Sequence, residues 1–213
     1  MIGLQFPRGP LRLVCLGAHP DDIEIGCGAT LLTLAETRDV DATFVVATGE
    51  GGERHGEALK AAARFLPGTE PAVNVLGFRD GFLPDQWAGV KDAFEDIAAA
   101  TVPDVVFAPR HDDAHQDHRV VAEITTTVWR DALVVRYEIP KWDGDLGRVS
   151  HYVPLTTEIA YRKVDALEES FPSQVERDWW DAETFLGVMR LRGIECRSKY
   201  AEAFAVDKAV IEL

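Results

Sequence analysis

Short apolar runs alternate along this chain with longer stretches of helical spacing. Leu11–Gly17 (LRLVCLG) is too short for a helix and ends in glycine, which predicts a buried strand. After a loop, Ala29–Glu36 (ATLLTLAE) predicts a helix. Asp41–Ala47 (DATFVVA), rich in β-branched residues and phenylalanine, predicts a second strand. The alanine-rich stretch from Glu57 to Phe65 predicts a helix that Pro67-Gly68 stops. The rhythm continues with strands over Val73–Leu76, Asp104–Ala108 and Ala132–Glu138, and helices over Asp85–Ala100 and His115–Arg130. Strand and helix alternating in this way imply crossover units and a mostly parallel sheet covered on both faces. The last third reads differently: Thr157–Glu169 and Val175–Arg190 predict longer helices joined through Phe171-Pro172-Ser173.

With no repeat, linker or low-complexity segment, the expectation is a single domain spanning residues 1–213. Its class is α/β: a Rossmann-like three-layer fold with a mostly parallel central sheet and a helical C-terminal portion. Ligands in such sheets collect at the carboxyl ends of the strands. The polar clusters fall there.

Composition narrows the partners. The 213 residues, 46% hydrophobic and 27% charged, suit a globular enzyme. A formal net charge of −14 disfavours a protein that tracks nucleic-acid phosphates or docks on anionic membranes. Three scattered cysteines form no disulfide framework, which with the absence of an apolar leader points to a reduced, cytoplasmic setting. No stretch reaches the roughly 18 apolar residues needed to span a bilayer.

The first predicted strand is followed by Ala18-His19-Pro20-Asp21-Asp22, then Ile23-Glu24-Ile25-Gly26-Cys27-Gly28. The strand at Asp104–Ala108 is followed by Pro109-Arg110-His111-Asp112-Asp113-Ala114-His115-Gln116-Asp117-His118, which holds three of the six histidines. Two imidazoles and one carboxylate make a recurring catalytic zinc shell with an open position. A water there has its pKa lowered towards about 7. A further carboxylate can accept its proton, and a further histidine, preferably protonated, can stabilise an oxyanion. His19 and Asp22, three apart across Pro20, can converge on one point, while Asp21 between them faces differently and suits a base. His115 and His118, also three apart, share a helix face. Asp117 is placed to orient a neighbouring histidine.

The chain resembles the LmbE-like, or PIG-L, family of zinc-dependent N-acetylglucosaminyl deacetylases, marked by an AHPDD loop and an HxDH motif; here these are Ala18–Asp22 and His115–His118. The likeness extends through Thr48-Gly49-Glu50, Arg54, Glu57, Asp80-Gly81, Lys163, Ser173-Gln174 and Ala201-Glu202-Ala203-Phe204. It implies His19, Asp22 and His118 on zinc, Asp21 as general base and His115 as oxyanion stabiliser. It further implies Arg54 and Asp80 as contacts to substrate hydroxyls. The activity implied is removal of an acyl group, usually acetyl, from the amine of an amino sugar or small glycoside. Fe²⁺ or Co²⁺ are substitutes the donor set would accept. A homo-oligomer is compatible with the sequence.

Two departures stand out: Gly28-Ala29 replaces a glycine pair, and Asp113-Ala114 leaves no tyrosine before His115. Competing readings keep the site but change the substrate, to a thiol conjugate or a non-sugar amide of secondary metabolism, or remove catalysis and leave a sugar- or nucleotide-binding module. Other polar residues read more plainly. Asp112 and Asp113 are expected to be solvated loop charges, and His55 and His151 surface or packing residues. Gly26-Cys27-Gly28 is expected to pack a loop against the sheet. Trp179-Trp180 is expected on a helix, as a core or subunit contact.

Overall fold

The computed structural model describes residues 3–6 and 9–210, so parts of the 1–10 and 211–213 stretches of the expected domain lie outside the described residues. Seven strands form one sheet: β1 (Leu11–Gly17), β2 (Val40–Thr48), β3 (Ala72–Phe78), β4 (Val105–Pro109), β5 (Leu133–Tyr137), β6 (His151–Leu155) and β7 (Tyr200–Val206). Their spatial order is β3-β2-β1-β4-β5-β7-β6. The first five are parallel; β7 runs antiparallel to both β5 and β6.

Six helices cover the sheet: α1 (Asp22–Thr37), α2 (Glu53–Phe65), α3 (Trp87–Ala100), α4 (Gln116–Val128), α5 (Thr157–Ser170) and α6 (Ala182–Cys196), with a short 3₁₀ turn at Leu83–Gln86. One apolar cluster lies beneath α1, α2, α5 and α6, including Ile23, Leu31, Phe65, Leu167 and Phe185. The other lies beneath α3 and α4, including Phe94, Val121 and Ile124. The expected three-layer α/β architecture is the observed one. Among the described residues, no helix is long and apolar enough to cross a membrane.

Three local readings change. The C-terminal third supplies, besides helices, two strands that sequence patterning passes over. In β7 (YAEAFAV) small alanines and a buried Glu202 blur the alternation of a strand. β6 carries Pro154, tolerated because this strand lies at the sheet edge. The helix expected over Val175–Arg190 begins only at Ala182, and Trp179-Trp180 lie in the turns before it; Trp180 is core, packed against Phe171 and Phe185.

The third change concerns α1, which starts seven residues earlier than expected. Gly26 and Gly28 hide its first turns because they read as a loop, yet they are small for packing reasons. A Cβ on Gly26 would lie 2.1 Å from Cδ2 of Tyr137, and one on Gly28 would lie 2.5 Å from the Phe65 ring. Tyr137 cannot swing away easily: its hydroxyl donates to the Leu16 carbonyl at 2.6 Å. The helix therefore lies close on the sheet, and its first residue reaches the end of β1.

Candidate active site

β1 and β4 are parallel neighbours, but β1 connects onward to β2 on its other side, so the strand order reverses between them. This is the topological switch point where α/β sheets open a crevice. Their register pairs Leu13 with Val105 and Cys15 with Phe107. Each strand runs two residues beyond the last pair, so the two motif loops leave the sheet at the same level.

The first loop is wound around Asp22. Its Oδ2 accepts the backbone N–H groups of Ala18 and His19, both at 2.8 Å. Asp21 is the N-cap of α1 with φ 116°, a conformation that costs a non-glycine residue about 1–3 kcal/mol and recurs where function demands it. The second loop delivers His115 as the N-cap of α4, its Nδ1 accepting from the Asp117 N–H at 3.2 Å. His118 follows one turn later and is buried.

Three side chains converge. His19 Nδ1 lies 3.2 Å from His118 Nε2. Asp22 Oδ1 lies 3.3 Å from that same nitrogen, and Asp22 Oδ2 lies 3.5 Å from His19 Nδ1. Tetrahedral zinc with bonds of about 2.0–2.2 Å separates its donors by about 3.3–3.6 Å. The triangle fits. His115 completes a group with His19 and His118 whose ring nitrogens all lie within 4.8 Å, and its ring stacks on His118 with centroids 4.7 Å apart.

Carboxylates stand behind both imidazoles. Asp113 Oδ2 faces His118 Nδ1 at 3.0 Å. Asp80 and Asp117 face His19 Nε2 at 3.0 and 3.4 Å. A carboxylate on the far nitrogen fixes the tautomer that presents the other nitrogen as a ligand. Asp117, fully buried, also accepts the N–H groups of Gly81 and Leu83 at 2.7 and 3.0 Å, tying the loop after β3 to α4.

These charges set the protonation of the cluster. For His19, burial pulls down but is outweighed by Asp22 and Asp117, and the imidazole is held well above its ordinary range. For His118, burial is outweighed by Asp22 and Asp113, and the value rises to about 9. Asp22 is held well below the usual carboxylate range: burial opposes this, and His118 and His19 overcome it. The carboxylates around His19 and His118 thus favour positive charge at this cluster. Burial pushes Asp21 up to about 6, with the Arg54 guanidinium pulling the other way. Burial, followed by His118 and His19, lowers His115. A neutral imidazole whose Nδ1 accepts from a backbone N–H carries its proton on Nε2, and that N–H is still a donor.

Arg54 donates to Asp21 Oδ2 at 2.9 Å and to the Pro20 carbonyl, so it is tied to the residue expected to act as base. Asp80 is mostly exposed at the rim. Sequence reasoning missed Asp113, set aside as a solvated charge. It is buried against His118, accepts the His115 N–H at 2.8 Å and pairs with Lys141 at 3.0 Å. The signal was its place five residues before His118, at the mouth of a helix cap. Also missed was the tie from the buried Glu57 to the N–H and hydroxyl of Ser173 at 2.9 and 2.7 Å. His111 stands apart, bonded to Asp207 at 3.2 Å.

The fold is a three-layer α/β architecture whose two motif loops meet at one polar site. The chain belongs to the PIG-L family: the model described as GlcNAc-PI de-N-acetylase matches residues 14–129, which contain both motif loops. It is 34% identical over 139 residues to the uncharacterised deacetylase YaiS of Escherichia coli (strain K12), covering 60% of this chain and 74% of that one. Its fold is similar to that of the conserved protein TT1542 from Thermus thermophilus, with a TM-score of 0.71, 24% identity, and 95% and 97% of the two chains covered. It is also similar to the N,N'-diacetylchitobiose deacetylase from Pyrococcus horikoshii, with a TM-score of 0.69, 20% identity, and 92% and 83% covered.

Proposed function

We propose that this protein hydrolyses the N-acyl bond, above all N-acetyl, of an amino sugar or small glycoside, using one divalent metal ion. The observation that carries the reading is the convergence of His19, Asp22 and His118: the facing imidazole nitrogens lie 3.2 Å apart, and the two Asp22 oxygens lie 3.3 Å from His118 Nε2 and 3.5 Å from His19 Nδ1. These residues would hold Zn²⁺, with Fe²⁺ or Co²⁺ as substitutes suited to the same nitrogen and oxygen donors. Such an ion, when bound, lowers the pKa of a coordinated water to about 7 and polarises an acyl carbonyl.

The chain's own groups do the rest. Asp21 accepts a proton from the water that attacks the acyl carbon. It then returns that proton to the departing nitrogen as the C–N bond breaks, leaving a carboxylic acid and a free amine. A value raised to about 6 suits a group that must take and give a proton near neutrality. Arg54 holds one Asp21 oxygen, which leaves the other for the proton. The His115 Nε2–H donates to the carbonyl oxygen as negative charge builds on it. Asp113 and Asp117 keep the two imidazole ligands aimed. Asp80, exposed at the rim, and Arg54 stand where sugar hydroxyls enter.

The test is Asp21→Asn in protein purified with its metal. Zinc content stays at about one per chain, while hydrolysis of N-acetylglucosamine derivatives falls by about 10²–10⁴-fold. Full turnover in the variant removes Asp21 from the reaction.

A further inference from the structure

Deepening the reading of a sugar deacetylase, we infer that Trp142 is a stacking platform for a second ring of the substrate. The enzyme then acts on a disaccharide or ring-bearing glycoside rather than on a lone amino sugar.

Trp142 follows β5, which is parallel to β1 and β4, so its loop leaves the sheet at the edge that carries the active site. Contacts on both sides tie it to that site. The preceding residue, Lys141, pairs with Asp113 at 3.0 Å, and Asp113 backs His118. On its other side the Trp142 indole N–H donates to Asp178 Oδ1 at 2.9 Å. The segment of Asp178 is anchored by Ser173 to Glu57; Glu57 lies 3.7 Å from Arg54 Nε, and Arg54 holds Asp21. Trp142 is thus held beside Asp178, while its neighbour Lys141 reaches Asp113, and the backbone from Asp178 back to Ser173 leads to Glu57, Arg54 and Asp21.

The indole is held, yet open. Its N–H is bonded, and Trp179 meets it edge to face with centroids 6.0 Å apart, while 65% of the residue is exposed. A polar edge fixed by a hydrogen bond on a largely exposed ring is what a rigid aromatic contact requires. Scattered surface apolar residues need no explanation, but this one is orientated and wired to both halves of the site. Phe82, exposed on the loop after β3, differs: the Arg79 guanidinium covers its ring, 3.6 Å from the centroid. Pyranose rings present an apolar C–H face that packs on an open indole. The overall charge of −14 suits a neutral or amine-bearing sugar.

The experiment uses full-length, zinc-loaded protein. Affinities are measured by calorimetry for glucosamine and for its β-linked disaccharide, both of which lack the scissile acyl group. Specificity (kcat/KM) is then compared for the corresponding N-acetylated sugars. Wild type should prefer the disaccharide by about tenfold, the upper end of one aromatic contact. Trp142→Ala should erase that preference in both measurements, and Trp142→Phe should keep part of it, with thermal unfolding confirming that both variants fold. An undiminished preference in Trp142→Ala overturns the inference. So does a drop in oligomeric mass with disaccharide affinity unchanged, which would make Trp142 a contact between copies. Trp142-dependent disaccharide binding without hydrolysis of any N-acetyl sugar would keep the platform and refute the deacetylation reading instead.

Discussion

Asp113→Asn isolates the residue that sequence reasoning set aside. In the wild type its carboxylate does three things: it faces His118 Nδ1 at 3.0 Å, accepts the His115 N–H at 2.8 Å and pairs with Lys141 at 3.0 Å. Asparagine keeps an acceptor of the same shape but loses the charge. Lys141 retains Asp145 at 2.6 Å, so no buried cation is stranded. What changes is the basicity and fixed tautomer of His118. Losing an orienting partner of a metal ligand costs about 10–100-fold in affinity, or about 1.4–2.7 kcal/mol. Asn should sit at the lower end, near tenfold, and Asp113→Ala, which also deletes the acceptor, at the upper end. Competition against a zinc chelator of known affinity measures both, with thermal unfolding of the metal-free proteins to separate metal loss from instability. Zinc affinity unchanged in both variants would refute the assignment of Asp113 to the metal ligand's support.

Two further substitutions test the frame around the site. Gly26→Ala would place a Cβ 2.1 Å from the Tyr137 ring, so it should destabilise the fold by at least about 1–3 kcal/mol; urea unfolding at wild-type stability would contradict the close helix–sheet contact. Glu202→Gln attacks a buried ion pair. Glu202 accepts from Lys163 at 2.6 Å and from the α1 N–H groups of Ala29 and Thr30 at 2.9 and 2.7 Å. Stranding Lys163 should cost about 3–5 kcal/mol in the same assay, and a loss below about 1 kcal/mol would show that the pair is not needed.

The parallel half of the fold was legible because its strands are buried on both faces and read as continuous apolar runs, as in LRLVCLG and DVVFA. The antiparallel end was not, because β7 alternates alanine with Glu202, whose partner Lys163 lies 39 positions away. Local patterning cannot register such a pair. The same distinction runs through the site. His19, Asp21, Asp22, His115 and His118 stand in compact motifs on loops that follow recognisable strands. Asp113 looked like a loop charge because its role depends on the cap at His115, and the contact of Glu57 was hidden because its partner Ser173 is 116 residues on. Helix α1 was mis-started since Gly26 and Gly28 signal a loop in isolation; only Tyr137 and Phe65, packed against them, explain their size.

Whether one cation is gripped by His19, Asp22 and His118 is read directly by X-ray absorption on the zinc-loaded protein. The account predicts two imidazole nitrogens and carboxylate or water oxygens at about 2.0–2.2 Å, with the imidazole signal reduced in His118→Ala. A sulfur shell at about 2.3 Å, or a spectrum unchanged by that substitution, would contradict it.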